Sequence, residues 1–223
     1  MVPGRLASHP KKGRTDGCSE RTDAWLLCER PARPMKLRQA NPRKFMRQLD
    51  ESQPKAWIAR EYLRGRYRPH RVRILFVGEA PPTSGRFFYR ADSGLYRAVR
   101  DTFISAFPNL EKTHFIEAFR SLGCYLVDLC GQPVDRMDRK ARQRVCFAGE
   151  ASLSRTLRQL RPEIVVAVVR SIGRSVRRSE DQAKWSGLHV ELPYPGRWVH
   201  HRAEFHRKLV PLLRKSLCSM AKI

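Results

Sequence analysis

The apolar positions of the chain fall into short continuous runs separated by longer stretches with helical spacing. Such runs, bounded by Gly, Pro and charged residues, are typical of strands that are buried on both faces. They predict four strands, at residues 71–77, 124–129, 163–169 and 188–192.

Between and around these runs, apolar residues recur every three or four positions, which is typical of amphipathic helices. The predicted helical segments are 42–64 (one or two helices, ended by Gly65), 92–107 (capped by Asp92 or Ser93 and closed by Pro108), 138–160 (one helix or a pair), a short helix after 171, and a C-terminal helix from Arg202. Strands that alternate with helices form a parallel sheet covered on both faces. The pattern therefore predicts an α/β fold, a three-layer αβα sandwich with a central four-stranded parallel sheet.

The first forty residues show no such periodicity and mix Pro, Gly and Ser with Arg and Lys. A segment of this composition buries too little apolar surface to order itself. We expect a basic, disordered tail over 1–40 and one domain over 41–223. Helical spacing begins near Met35, so translation from Met1 or from Met35 stays an open alternative.

The net charge of the chain indicates what kind of partner it binds. The chain has 45 Lys+Arg and 21 Asp+Glu, a net charge of +24, of which residues 1–50 carry only +7. Arg makes up 34 of the cations, and its planar guanidinium pairs with phosphate oxygens two at a time. We expect a polyanionic partner, with nucleic acid as the leading candidate. The alternative is a solvated basic surface in an Arg-rich protein.

Membrane and disulfide-rich classes are not supported. The longest apolar run is the six residues 164–169, whereas a membrane-spanning helix needs about 18 or more. No secretory signal pattern follows Met1, and the six cysteines form no CxxC pair. We therefore expect a cytoplasmic protein with lone, buried thiols.

The loops that follow parallel strands share one edge of the sheet, so residues 78–89, 128–134 and 193–197 should converge. They offer backbone amides, aromatic rings, one carboxylate at Asp128, and a tyrosine and an arginine at Tyr194 and Arg197, a set that suits a flat hydrogen-bonding ring beside a phosphate chain. Several short motifs occur in order along these loops: Gly78-Glu79-Ala80-Pro81 after the first strand, Gly85-Arg86-Phe87-Phe88 with Gly94 downstream, YLVDLCGQP over 125–133, RPEIVVAVV over 161–169, and Tyr194-Pro195-Gly196.

In these motifs the chain resembles the uracil-DNA glycosylase superfamily, especially bacterial branches whose first motif begins GEAPG. The resemblance covers residues 71–214. It implies a DNA repair enzyme of base excision that flips uracil out of DNA, hydrolyses its N-glycosidic bond with water and leaves an abasic site. It further implies a monomer that binds uracil-containing DNA in the bacterial nucleoid and makes no Schiff base.

The resemblance also implies roles for individual residues. Those expected to hold the base are Gly78, Ala80, Pro81, Phe88 as stacking platform and Asp128. Those expected to act in catalysis are Glu79, Asp128 and Tyr194. Those expected to contact DNA are Ser84, Arg86, Gly196, Arg197 and His201.

Two positions depart from the family pattern. Asp128 replaces the asparagine that reads N3 and O4 of uracil, and an ionised carboxylate accepts but does not donate. Either burial keeps Asp128 protonated or another group reaches O4. Tyr194 replaces the histidine that assists the leaving base, and His200 or His201 can substitute for it.

For each candidate a structural role is the alternative. Glu79 can simply tie its loop, Phe88 can belong to the core, Asp128 can form a turn, Tyr194 to Gly196 can be a bare turn, and the histidines can be surface residues. Two other functions therefore stay open: a DNA-binding relative with little or no catalysis that recognises damaged or abasic DNA, and an enzyme acting on a small nucleotide or glycoside.

Many members of the GEAPG branch hold an iron–sulfur cluster on four cysteines. Cys130 and Cys146 fall near the positions of the last two ligands, but no cysteine lies between Cys28 and Cys124, so the early CxxC pair is missing. We expect no iron–sulfur cluster, no metal and no other cofactor.

Overall fold

The computed structural model describes residues 55–196 and 198–218. It contains four strands in one parallel sheet of order β2-β1-β3-β4, namely β1 (Ile74–Gly78), β2 (Cys124–Asp128), β3 (Ile164–Ala167) and β4 (Leu188–Glu191). The predicted α/β class, the four strands and their parallel arrangement are confirmed. The predicted tail over 1–40 lies outside the described residues.

Six α-helices lie among the described residues: α1 (Lys55–Arg66), α2 (Gly94–Ala106), α3 (Phe115–Ser121), α4 (Arg139–Leu160), α5 (Gly173–Ala183) and α6 (Val199–Leu217). Short 3₁₀ turns occupy Phe88–Arg90, Pro108–Lys112 and Arg170–Ile172. None of the helices described is both long enough and apolar enough to cross a membrane.

Two helix predictions need correction, and one helix was not predicted. Gly65 does not end α1, which continues to Arg66, because a glycine in the last turn costs only about 1 kcal/mol. The last helix begins at Val199 rather than Arg202. α3 was not predicted, because its seven residues are too few to show two periods of apolar spacing.

Local side chains set the starts of the two helices that follow the candidate loops. The Ser93 hydroxyl accepts a hydrogen bond from the backbone N–H of Tyr96 at 3.1 Å, and the Asp138 carboxylate accepts one from Ala141 at 2.9 Å. Both satisfy amides that have no partner inside the helix. α2 and α4 therefore begin at defined points just beyond the loops after β1 and β2.

The strand order places the helices on two faces. The chain moves one way from β1 to β2 and the other way from β2 through β3 to β4, so right-handed crossovers put α2 and α3 on one face and α4 and α5 on the other. Consistent with this, α2 packs against α6 and α4 packs against α5. β1 lies at the centre, where Ile74, Leu75, Phe76 and Val77 are fully buried.

β2 lies at an edge of the sheet, and the hydroxyl of Tyr89 pairs with its outer backbone groups. This hydroxyl accepts from the N–H of Leu126 at 2.8 Å and donates to the carbonyl of Leu126 at 3.1 Å. Unpaired edge groups are costly when buried. The contact fixes the segment that follows the first loop against the strand that carries Asp128.

Candidate active site

The ends of β1 and β2 bring two predicted site residues together. Gly78 and Asp128 are direct partners in the parallel register. Beyond the strands the two loops stay joined, because Leu129 donates to the carbonyl of Gly78 at 2.9 Å and Cys130 donates to the carbonyl of Glu79 at 2.8 Å. The first loop and the Asp128 segment therefore form one side of a common site at the carboxyl edge.

Asp128 is held in a buried ion pair. Its Oδ2 accepts a hydrogen bond from Nη2 of Arg64 at 2.6 Å, and about a tenth of each side chain is exposed. Burial raises the pKa of Asp128, and the Arg64 guanidinium opposes that rise. Burial lowers the pKa of Arg64, but the carboxylates of Asp128 and Glu61 outweigh it and raise the pKa overall. The pair places a carboxyl group with a raised pKa beside a permanent cation.

The second oxygen of Asp128 has a different environment. Oδ1 has no hydrogen-bond partner among the described residues and lies against Gly78, where a Cβ atom would come within 2.7 Å of it. A side chain at position 78 would push against this carboxylate, which Arg64 holds in place, so the close approach favours glycine there. Oδ1 is an acceptor held at the start of the first loop.

Glu79, by contrast, is engaged through both of its carboxylate oxygens. Oε1 accepts from Nε of Arg142 and Oε2 accepts from Nη2 of the same guanidinium, and about a tenth of the Glu79 side chain is exposed. The arginine comes from the first turn of α4. The loop-tying role considered for Glu79 is therefore present, and the predicted catalytic role stays a prediction.

Two cysteines lie beside this ion pair. The Sγ atoms of Cys130 and Cys146 are 3.6 Å apart, and Sγ of Cys146 is 3.8 Å from Oε1 of Glu79. Both thiols are buried, and burial raises the pKa of each.

Two thiols do not make the four-cysteine set that an iron–sulfur cluster requires. The other described cysteines, Cys124 and Cys218, are free thiols, and Cys18 and Cys28 lie outside the described residues. Within the described residues, no group of three His, Cys, Asp or Glu is placed to bind a metal. The described donors do not make up the ligand set of a cluster, and the absence of a cluster stays a prediction.

Phe88 lies in the aromatic core. Its ring contacts those of Tyr89, Tyr96 and Phe119 at centroid distances of 5.2–5.9 Å, and only 3% of the residue is exposed. The structural alternative for Phe88 is thus realised in this conformation. Stacking on a flipped base requires the ring to be uncovered, and that role stays a prediction.

A polar contact ties the tip of the first loop to the loop after β2. The Thr83 hydroxyl donates to Oδ2 of Asp135 at 2.5 Å, and the Thr83 amide lies 3.3 Å from Oδ1. The predicted DNA contacts Ser84 and Arg86 are exposed just beyond it. Within the first motif, Ala80 is half-buried and Pro81 is buried. The loop therefore presents its polar tip to solvent while its base is packed.

The third predicted loop follows β4. Tyr194 is 43% exposed, and its ring covers Gly196 so closely that a Cβ there would meet the ring at 2.2 Å. Burial raises the pKa of Tyr194, and the guanidinium of Arg97, in the first turn of α2, opposes the rise. His201 lies in the first turn of α6 with its ring 4.4 Å from that of His200. The predicted phosphate contact Arg197 lies outside the described residues.

Sequence reasoning missed the residues that hold the two carboxylates. Arg64 and Arg142 are 64 and 63 positions away from Asp128 and Glu79, and they belong to helices. Nε of Arg64 is buried without a hydrogen-bond partner among the described residues, and its guanidinium lies 5.4 Å from the centre of the Phe87 ring. The chain has 45 Lys and Arg residues, and no sequence signal distinguished Arg64 and Arg142 from the others.

Neither a comparison with models of known protein families nor a search of curated proteins gives a significant match for the chain.

Proposed function

We propose that the protein is a uracil-DNA glycosylase that hydrolyses the N-glycosidic bond of uracil after the nucleotide is flipped out of the DNA stack. The observation that carries the proposal is Oδ1 of Asp128, an acceptor without a partner among the described residues, held against Gly78 at the start of the first loop. The choice of uracil as the base rests on the motifs that resemble the superfamily. Water is the nucleophile and an abasic site is the product.

Base recognition is divided between two residues. The ionised Asp128 accepts from the N3–H of uracil through Oδ1, but it has no proton to donate to O4. Arg64, bonded to the other oxygen of the same carboxylate at 2.6 Å, is the neighbouring group rich in donors. The Asp128–Arg64 ion pair thereby takes the place of the family's asparagine, whose side-chain amide offers both an acceptor and a donor.

Catalysis rests on charge placement. Cleavage develops negative charge on the leaving base and positive charge on the sugar, and preorganised dipoles supply most of the stabilisation. In the proposal, the backbone amides of Glu79 and Ala80 hold O2 of the base. Arg142 fixes the Glu79 carboxylate through both of its oxygens, so Glu79 acts as a positioned negative charge.

A second candidate function is a DNA-binding relative without turnover. Two observations favour it: both oxygens of Glu79 are bonded to Arg142, and 3% of Phe88 is exposed. In such a relative the basic protein recognises damaged or abasic DNA without breaking a glycosidic bond. Turnover separates the two candidates.

The test incubates the full chain, purified from a host that lacks its own uracil-DNA glycosylase, with a labelled oligonucleotide carrying one uracil. Alkali then cleaves the strand at abasic sites. We expect cleavage at the uracil and none in the matched thymine oligonucleotide. Absence of cleavage contradicts the glycosylase proposal, and tight binding without cleavage favours the second candidate.

A matched pair of variants tests the residue that carries the proposal. Asp128→Ala should lower excision about 100-fold, the size of effect seen when one preorganised polar contact is removed. Asp181→Ala, which removes an exposed aspartate on α5, should leave excision unchanged. Equal activities of the two variants would exclude Asp128 from the site.

A further inference from the structure

A cavity of about 1270 Å³ lies beside the candidate site, between α4 and the segment formed by the third 3₁₀ turn and α5. We refer to it as the α4–α5 cavity. Seven of its lining residues are Arg or Lys, and Glu79 is the one carboxylate among them. Glu79 belongs to the first loop of the candidate site as well, so site and cavity are continuous.

Part of this positive charge is already compensated. Arg142 pairs with Glu79, Arg170 with Glu204 and Arg178 with Glu150. These three guanidinium groups are fixed by carboxylates and contribute little net charge.

The other four cations of the cavity have no carboxylate partner among the described residues: Arg139, Lys140, Arg144 and Arg174. Arg139, Lys140 and Arg144 lie within the first two turns of α4, and Arg174 lies in the first turn of α5. All four are exposed. Uncompensated like charges around one cavity repel each other, and a chain of phosphates would neutralise them together.

The same cavity has an exposed aromatic ring. Phe147 lines it with 65% of the residue exposed, one turn after Arg144 on α4, and the Arg178 guanidinium lies 5.8 Å from its ring centre. A phenylalanine so exposed gains free energy when a flat apolar surface covers it. Base–aromatic stacking contributes about 1–3 kcal/mol per base and works with any base.

From this juxtaposition we propose that the α4–α5 cavity binds an unpaired stretch of DNA, with phosphates on Arg144 and Arg174 and a base stacked on Phe147. The choice of DNA rests on the proposed function. The cavity is larger than the roughly 300–1,000 Å³ of a typical small-ligand pocket, which favours several linked nucleotides over one free nucleotide. Because Glu79 is shared, the bound stretch is the strand that flanks the flipped nucleotide.

The test measures binding of a labelled, uracil-free single-stranded oligonucleotide to the full chain over a range of salt concentrations. Arg144→Glu/Arg174→Glu should raise Kd at least 10-fold and flatten the salt dependence by about 1.4 in log–log slope for two lost phosphate contacts. The matched control, Arg155→Glu/Arg207→Glu, changes net charge equally at exposed positions that do not line the cavity. It should raise Kd much less.

Phe147 is tested separately. Phe147→Ala should raise Kd about 10-fold, while Phe147→Trp should keep the affinity and show fluorescence quenching on binding. Circular dichroism and thermal unfolding of every variant check that the fold is retained. An unchanged Kd for Phe147→Ala, or equal losses for the two double variants, would overturn the proposal, as would tighter binding of the matching RNA through the same residues.

Uracil excision by the wild type separates this inference from the proposed function. If the variants show the expected binding pattern but the wild type releases no uracil, the α4–α5 cavity remains a DNA site and the glycosylase proposal is wrong. If the wild type releases uracil but the two double variants lose affinity equally, the glycosylase proposal stands and the cavity proposal is wrong.

Discussion

The two oxygens of the Asp128 carboxylate have different roles: one binds Arg64, and the other is open to a ligand. Oδ2 of Asp128 is bonded to Arg64 at 2.6 Å, while Oδ1 stays available at the edge of Gly78. Removing ions from water is costly, so a buried pair is tolerated only while both partners are present. The carboxylate therefore keeps Arg64 in place whether or not it also accepts from a base.

Replacing the Asp128 carboxylate should show how much free energy is lost when the buried Arg64 lacks its partner. Asp128→Asn leaves the Arg64 guanidinium buried with only Glu61 as counter-ion, and we expect a loss of about 3 kcal/mol in the free energy of unfolding. Urea denaturation measures it. The double variant Asp128→Asn/Arg64→Met should recover much of the loss because the buried guanidinium is removed, while the Glu61 carboxylate that it leaves behind is partly exposed to water. An Asp128→Asn variant as stable as the wild type would contradict the ion-pair description.

At this scale, the sequence predicts the carboxylates better than their partners. Glu79 directly follows β1 and Asp128 is the last residue of β2, and a polar residue at the end of a buried strand is a recognisable signal. Arg64 and Arg142 come from helices more than 60 positions away and look like any other basic residue. For Phe88 the sequence indicated the residue but not its surroundings, because a motif position alone does not distinguish a ring that stacks on a base from a ring in the core.

The loops after β1 and β2 behave as one element because Thr83 and Asp135 join them. The carboxylate of Asp135 accepts from both the hydroxyl and the amide of Thr83. The Thr83 hydroxyl is the main cause of a lowered pKa for Asp135. A lowered pKa means that the ionised form stabilises the fold, so the contribution is present above the ordinary pKa of an aspartate and is lost as the pH falls through the lowered value.

Breaking this contact should loosen the first loop. We expect Asp135→Ala to increase amide hydrogen exchange of residues 80–88 at pH 7, whereas Asp101→Ala on α2 should not. The urea midpoints of Asp135→Ala and wild type should differ at pH 7, begin to approach each other below about pH 4, and coincide only below the lowered pKa of Asp135. A difference that does not shrink at all as the pH falls from about 4 to about 2 would show that the ionised carboxylate is not what holds the loop.

Elements were predictable in proportion to their length and burial. The four strands and α4 were recovered because buried apolar runs and long periodic stretches are strong signals. Whether 138–160 formed one helix or two was open, and the structure shows one, Arg139–Leu160. The seven-residue α3 gave too short a pattern. The parallel arrangement followed from the general rule for strands that alternate with helices, whereas the order of the strands was not predicted.

Over the whole molecule, the positive charge divides into separable parts. Residues 1–50 carry +7 and the remaining residues +17. Contacts with phosphates are independent of base sequence and strongly salt-dependent. Charge far from the candidate loops should therefore affect how tightly DNA is held and leave bond cleavage unaffected.

Deleting residues 1–34 tests this division. Affinity for a uracil-containing oligonucleotide should fall, and the dependence of log Kd on log salt should become shallower. The rate of excision at saturating DNA should stay within about twofold, because no residue of the matched motifs is removed. Single-turnover kinetics measure that rate, and a large drop in it would place part of the chemistry in the first 34 residues.

The central position of β1 has a consequence for how the protein folds. Its register with β2 joins residues about 50 positions apart, and its register with β3 joins residues about 90 positions apart. Closing such long loops costs entropy before the contacts repay it, so we expect slow, cooperative folding. Gly78 and Asp128 meet only once β1 has paired with β2, and a nascent chain that stops short of β3 lacks the strand that pairs with the other edge of β1.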